Sequence, residues 1–192
     1  MAVCTNAEVF VFCGTPADVQ TTQGAAITAL ISNVTSEVEK MLGRKVESTA
    51  LTNGLFQDGL NCEIIGTTIW LKGIYRDIYS ISSLTERGVA VSAATDYNQS
   101  DTYYLDVVKG CIHRISQNWD QEPLSIKISG NYGLGGASVL GDIKQAVIEM
   151  TAAKSGLWRQ NVMTEGGRIE TIRTTPNKLT VDSLKKYILR DC

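Results

Sequence analysis

The chain has 192 residues, 43% hydrophobic and 20% charged, enough for one domain with a real core or one domain plus an arm, and this balance excludes wholesale disorder. No apolar run approaches the length of a membrane span, and no charged stretch precedes a hydrophobic one at the N-terminus, so the chain reads as cytosolic and soluble, with no membrane partner. The formal net charge of −2 hides an asymmetry, because residues 1–150 carry 16 acidic and 10 basic side chains whereas residues 151–192 carry 4 and 8. An acidic body and a basic tail are therefore expected to meet different surroundings.

In chain order, Val9–Phe12 suggests a short strand or first packing element ending at Gly14-Thr15-Pro16. Pro16 fits the first turn of a helix with Thr15 as its N-cap and Asp18 near the positive dipole end, and Gly24 is expected to interrupt it. From Ala25 to Leu42 the periodicity is strong. Ile27, Leu30, Ile31, Val34, Val38, Met41 and Leu42 form one apolar stripe, Gly43 follows as the left-handed residue past the helix end, and Arg44-Lys45 sit where the dipole favours cations.

Residues 48–60 carry turn chemistry (Asn53-Gly54, Asp58-Gly59) and predict a loop or loose hairpin. Residues 62–130 have β texture, with strands expected at Ile64–Leu71, Tyr79–Thr85, Val89–Ala93, Tyr103–Val108, Cys111–Ser116 and Leu124–Ser129. Glu86-Arg87-Gly88 and Lys109-Gly110 serve as hairpin turns. A glycine-rich connector, Gly130–Gly136, leads to a second amphipathic helix, Asp142–Arg159, with Asp142 as N-cap and Ile143, Ala146, Val147, Met150, Ala153 and Leu157 as its stripe. Two helices with one apolar face each must cover one another or the sheet. Beyond Arg159, Ile169–Thr175 predicts an extended arm, and a last short helix runs from Thr180 or Asp182 through Arg190, too short to be stable without a docking surface. The domain organisation expected is an adaptor-like core over residues 1–160 and a C-terminal arm over 161–192.

The chemistry-bearing residues do not assemble into a familiar motif. Five scattered cysteines include no CxxC pair, and one histidine cannot complete a zinc site of the usual spacing, so neither a metal nor a disulfide framework is expected. Cys62 and Cys111 read as buried small hydrophobes. Gly130–Gly136 lacks the Gly-Lys-Ser/Thr ending of a phosphate loop and reads as a connector. His113 reads as an ordinary strand histidine, and Asp101 and Asp106 as solvated turn acids rather than a catalytic pair. Trp70, Trp119 and Trp158 with Tyr75, Tyr79, Tyr97, Tyr103 and Tyr104 could suggest a base-stacking platform, but the acidic balance around them lacks the basic surround that holds a phosphate backbone. No catalytic, cofactor-binding or metal-binding residue is assigned, and no enzymatic activity is expected.

Three segments carry a resemblance. They are Leu30–Val46, where a helix closes in Leu-Gly-Arg-Lys; Ile69–Tyr97, IWLKGIYRDIYSISSLTERGVAVSAATDY; and Ile126–Arg159, where IKISGNYG precedes the helix DIKQAVIEMTAAKSGLWR. In this order of helix, β segment and helix the chain resembles the head–tail connector proteins (adaptor, or head-completion) of tailed bacteriophages. It departs from them at Lys72-Gly73-Ile74, where a proline-rich bend is frequent, and in its long Gly130–Gly141 connector. The resemblance implies an α+β fold: a small helical bundle with a β-hairpin or antiparallel-sheet insertion and an extended C-terminal arm ending in a short helix.

It also implies a virion neck component assembled in the host cytoplasm as a homo-oligomeric ring, typically of twelve subunits. Such a ring sits between the portal and the stopper or tail and continues the DNA channel without reading sequence. An acidic lumen would repel phosphates and let DNA slide during genome ejection. The residues expected to dock the portal are Arg168, Arg173, Lys178, Leu184, Lys185, Lys186, Tyr187, Ile188 and Arg190. Those expected at the subunit interface are Trp70, Tyr97, Tyr103, Tyr104 and Trp158. A tail-completion or stopper protein of the same connector is the nearby alternative, although two strong helices suit it less. A small nucleotide-binding enzyme using Gly130–Gly136 is the distant one.

Overall fold

In the computed structural model the described residues are 3–96, 99–134, 139–164 and 167–188, with the backbone alone described across 159–171. The fold class is α+β, and contacts divide the chain into two compact units, Met1–Val46 with Val139–Arg190, and Glu47–Ser138. The β unit is thus an insertion between the two long helices. The boundary expected at residue 160 does not coincide with either unit edge.

The helical unit contains α1 (Asn6–Cys13), α2 (Ala17–Leu42) and α3 (Gly141–Ser155). Val9–Phe12 is helical, not extended, because Thr5 and Glu8 form a reciprocal capping box that satisfies the first free N–H groups. Gly14 at φ 64° closes α1, and Pro16 itself occupies the N-cap of α2. Thr15 does not cap it; its hydroxyl is buried without a partner. α2 runs unbroken through Gly24, whose carbonyl accepts from Asn6 Nδ2 at 2.9 Å. Ile27, Ile31, Val34, Val38 and Leu42 of α2 are buried, as are Ile143, Ala146, Val147, Ala152 and Ala153 of α3. The two stripes therefore cover one another, with small residues on α3 allowing close approach. Lys154 of α3 reaches Glu37 of α2 at 2.6 Å. The Leu-Gly-Arg-Lys turn acquires a physical account. Gly43 is left-handed at φ 65°, Glu39 accepts from Val46 N at 3.1 Å and pairs with Lys45 at 2.8 Å, and Arg44 donates to the Tyr187 carbonyl at 3.4 Å.

α3 begins at Gly141 after Leu140, so Asp142 lies in its first turn rather than at its cap, and it ends at Ser155 with Gly156 left-handed. Most of the expected arm is a backbone hairpin of two paired strands, Arg159–Thr164 and Gly167–Ile172. Asn177 then caps α4 (Lys178–Ser183) by accepting from Leu179 N at 3.2 Å, and a 3-10 turn, Leu184–Tyr187, follows.

Among the described residues the β unit holds nine strands: β1 (Thr49–Phe56), β2 (Cys62–Ile65), β3 (Thr68–Leu71), β4 (Ile78–Glu86), β5 (Val89–Ala90), β6 (Ser92–Ala93), β7 (Thr102–Asp106), β8 (Cys111–Arg114) and β9 (Ile126–Tyr132). They form a four-stranded sheet, β1-β9-β4-β5, and a five-stranded sheet, β2-β3-β8-β7-β6, antiparallel except for β6 with β7. One core joins their inner faces, with Phe56, Ile78, Leu84, Ile126 and Ile128 from the first and Ile64, Ile69, Leu71, Tyr103 and Ile112 from the second.

Residues 49–56, within the segment expected to be a loop or loose hairpin, form a strand. A bulge between Leu51 and Gly54 absorbs the Asn53-Gly54 turn signal, with Asn53 at φ 50°. The expected strand Ile64–Leu71 is two strands folded back at Gly66, and Leu124 is half exposed ahead of β9 rather than inside it. Of the glycine-rich connector, Gly130–Tyr132 belongs to β9, and 135–138 lie outside the described residues. No helix among the described residues is long and apolar enough to cross a membrane.

Candidate assembly surfaces

The C-terminal segment lies against the helical unit. Leu184 is 1% exposed, Lys186 pairs with Asp142 at 2.5 Å, and Tyr187 donates its hydroxyl to the same carboxylate at 3.2 Å. Behind it, the carboxylate of Glu149, itself buried, accepts from Gln145 Nε2 at 3.0 Å and from the Asn177 backbone N–H at 3.3 Å. No periodicity marks Glu149 as polar anchor on an apolar helix face; it could have been noticed only as the single acid in the middle of α3. Arg173 stacks its guanidinium 4.4 Å from the Trp158 ring, which also meets Phe12 edge-on at 5.0 Å. Trp158, expected at a subunit interface, is half-buried and makes these two contacts within its own unit.

The residues expected to dock the portal fall into two groups. Leu184, Lys186, Tyr187 and Arg173 have intramolecular partners, while Lys178, Lys185 and Ile188 are exposed, with Lys185 bridging to Asp182 at 2.8 Å within the same short segment. Leu179, which the sequence did not single out, is 77% exposed beside them. The Arg168 side chain and Arg190 lie outside the described residues.

Two effects hold this segment down, and they predict different responses. Leu184→Ala should cost about 2–4 kcal/mol of docking free energy from lost burial, seen as new proteolytic cleavage beyond Asn177 while α2 and α3 stay protected. The ion pair adds a pH window. Lys186 holds the Asp142 carboxyl below its ordinary value, so its contribution is present above about pH 4 and is lost as pH falls through the lowered value. Asp142 in turn raises Lys186, whose contribution is lost only as pH rises through that raised value. Cleavage should accordingly increase in acid and not between pH 5 and 9.

In the β unit, strand register builds a second surface. Glu63 pairs with Trp70, Trp70 with Cys111, and Cys111 with Asp106 across four strands; Ile65, Thr68, His113 and Tyr104 form the next row on the same face. The row between them, Ile64, Ile69, Ile112 and Leu105, points into the core. The outer face therefore presents Trp70 at 39%, Ile65 at 59% and Tyr104 at 56% exposure, an apolar and aromatic patch on a regular sheet. Two of the five expected interface residues, Trp70 and Tyr104, lie on this face, two strands apart. Tyr103, one position along β7, faces the core at 6% exposure, and Tyr97 lies outside the described residues.

Along this face opens a cleft of about 880 Å³, lined in part by Thr95, Asp96, Tyr104, Asp106 and His113. His113 is held on both sides, with Nδ1 3.0 Å from Thr68 Oγ1 and Nε2 3.2 Å from Cys111 Sγ, and the Tyr104 ring lies parallel to it. Burial, then the Asp106 charge, pushes the Cys111 thiol up, which disfavours the thiolate a nucleophile needs.

Asp101 and Asp106 are not a pair. Asp106 Oδ1 accepts from the Lys109 backbone N–H at 3.0 Å and shapes the hairpin turn, whereas Asp101 accepts from Arg114 Nη2 at 2.6 Å. Arg114 is buried and also donates to Glu86, whose other oxygen accepts from Asp120 N at 2.7 Å. Its guanidinium lies 5.0 Å from the Trp119 ring. Arg87 extends the network to Asp120 and Glu122. The network ties the β4–β5 turn to the β8–β9 connection, and no sequence spacing announced it.

No protein-family model and no curated protein sequence matches this chain. Among solved structures it is similar to a chain from the neck of an empty gene transfer agent (GTA) particle computed with C6 symmetry, with 15% identity and a TM-score of 0.52, covering 99% of this chain and 92% of that one. It is also similar to a chain from the neck of a native GTA particle computed with C12 symmetry, with 15% identity and a TM-score of 0.48 over 97% and 92% of the two chains. At this identity the likeness is one of fold. The fold implied by the connector resemblance is the fold observed.

Proposed function

We propose that the chain is a structural, non-catalytic neck protein of a tailed-phage-like particle. In this reading it is an adaptor subunit that closes into a ring with six-fold or twelve-fold symmetry between the portal and the stopper or tail. The observation that carries it is the fold shared with a neck chain over 99% of the sequence. The outer face of the five-stranded sheet supports it, because Trp70, Tyr104 and Ile65 leave an apolar patch on one protomer that a neighbour would cover. A ring needs such heterologous contacts, each patch meeting a different surface on the next copy. The exposed Lys178, Lys185, Ile188 and Leu179 are the docking set offered to the portal. The acidic balance of residues 1–150 suits a channel through which DNA slides without being held.

A variant carrying Trp70→Ser and Tyr104→Ser tests the interface. Both side chains are partly in water, so the fold and its circular dichroism should be retained. Mass measurements on protein mixed with its portal should show wild-type rings and at least a tenfold loss of rings in the variant. Equal ring formation would move the interface to another face.

A further inference from the structure

We propose that Asp106, Cys111 and His113 form a binding site for a thiophilic divalent cation, zinc above all, on the outer face of the five-stranded sheet. The carboxylate, thiol and imidazole ligand atoms all lie within 4.8 Å of one another, and a bound cation displaces the Cys111 thiol proton to solvent, its charge offsetting the burial that otherwise favours the thiol. They come from one hairpin. Antiparallel register sets Asp106 directly across from Cys111, and His113 follows two residues on, on the same face. Zinc bonds of about 2.0–2.3 Å place tetrahedral ligand atoms roughly 3.3–3.8 Å apart. Cys111 Sγ and His113 Nε2, at 3.2 Å, are already near that separation, so the Asp106 carboxylate, through its Oδ2, has most of the adjustment to make.

The surroundings match what a metal-binding histidine requires. Thr68 Oγ1 lies 3.0 Å from His113 Nδ1 and can accept its proton, which fixes the tautomer that turns the Nε2 lone pair toward Cys111. Asp106 Oδ1 is engaged by the Lys109 backbone N–H, leaving Oδ2, which lies 3.7 Å from the exposed Lys109 ammonium, as the oxygen for a cation. Asp106 and His113 line the cleft, which gives an ion a route in and leaves a fourth position for water, while Cys111 sits behind them without solvent contact. Sulfur, nitrogen and oxygen donors in one tetrahedron suit zinc or cobalt(II) better than magnesium or calcium, which take oxygen alone. A linear reading discounts the site because its spacing, D-x4-C-x-H, follows a hairpin rather than a finger motif.

The test is a cobalt(II) titration of the chelator-treated full chain under reducing conditions, with zinc content measured in parallel. The site predicts a thiolate-to-cobalt absorption band that saturates at one equivalent and disappears on adding zinc. Cys111→Ser should abolish the band, Asp106→Asn and His113→Gln should each weaken binding at least tenfold, and Thr68→Val about tenfold through loss of the histidine's orientation. Cys62→Ser, at a buried cysteine outside the site, should leave the band unchanged. If Cys111→Ser fails to fold, the result with the partly exposed His113→Gln decides. No band in the wild-type chain, or a band that survives His113→Gln at full strength, would overturn the proposal. Neither outcome bears on ring assembly, which is measured separately.

Discussion

Gly130→Ala is expected to destabilise the β unit by about 3 kcal/mol or more, a large share of the roughly 5–15 kcal/mol that holds a domain together. The cause is a close approach of strands, not conformational freedom. A Cβ at Gly130 would stand 2.1 Å from the Ser80 carbonyl oxygen and 3.0 Å from Ile81 Cα, both backbone atoms of the adjacent β4. Because β9 is paired on both edges, to Leu51 of β1 and Ile81 of β4 at this position, it cannot slide away without breaking ladder hydrogen bonds on either side. Gly141→Ala is the control. Its Cβ would meet nothing within 4 Å at the start of α3, and helix propensity makes it neutral or up to about 1 kcal/mol stabilising. Urea denaturation of both variants separates the two. An unchanged midpoint for Gly130→Ala would mean that β9 does not hold this register against β4.

The second large effect is at Arg114. Its side chain is 6% exposed and that of its partner Glu86 is 14%, so Arg114→Met strands a carboxylate in poor solvent and should cost about 3–5 kcal/mol. The other partner, Asp101, is 57% exposed, and Asp101→Asn should cost less than about 1 kcal/mol because water replaces the lost contact. Adding Glu86→Gln to Arg114→Met should recover part of the loss by removing the unpaired charge. A double-mutant cycle by urea denaturation reads this coupling, and strictly additive costs would show that the two side chains do not stabilise each other.

These sites also mark how far the chain could be read without its structure. The stripes of α2 and α3, the left-handed Gly43, and the turns at Arg87-Gly88 and Gly110 follow from local chemistry, and they appear where local chemistry puts them. β1 reads only as a loop or loose hairpin because its bulge breaks the alternation that identifies a strand, and α1 only as a short strand or packing element because the Thr5–Glu8 capping box precedes a run rich in aromatic and β-branched residues. The surfaces were harder still. Which of Tyr103 and Tyr104 faces outward depends on the register of β7 against β8, and a shift of one residue exchanges them. Trp70 beside Cys111, Arg114 between Glu86 and Asp101, and Glu149 beneath Asn177 are pairings across sequence separations of 13 to 41 residues, set by topology. Composition could supply the residue types but not their neighbours.

The central claim is that this chain builds a neck ring on a portal, and negative-stain imaging of the full chain mixed with the portal of its own particle tests it most directly. A closed ring of this chain, coaxial with the portal channel, is the predicted result. A chain cut after Gln160 should dock weakly or not at all if residues 161–192 carry the contact. Failure of the full chain to associate with the portal or to close into a ring would contradict the account.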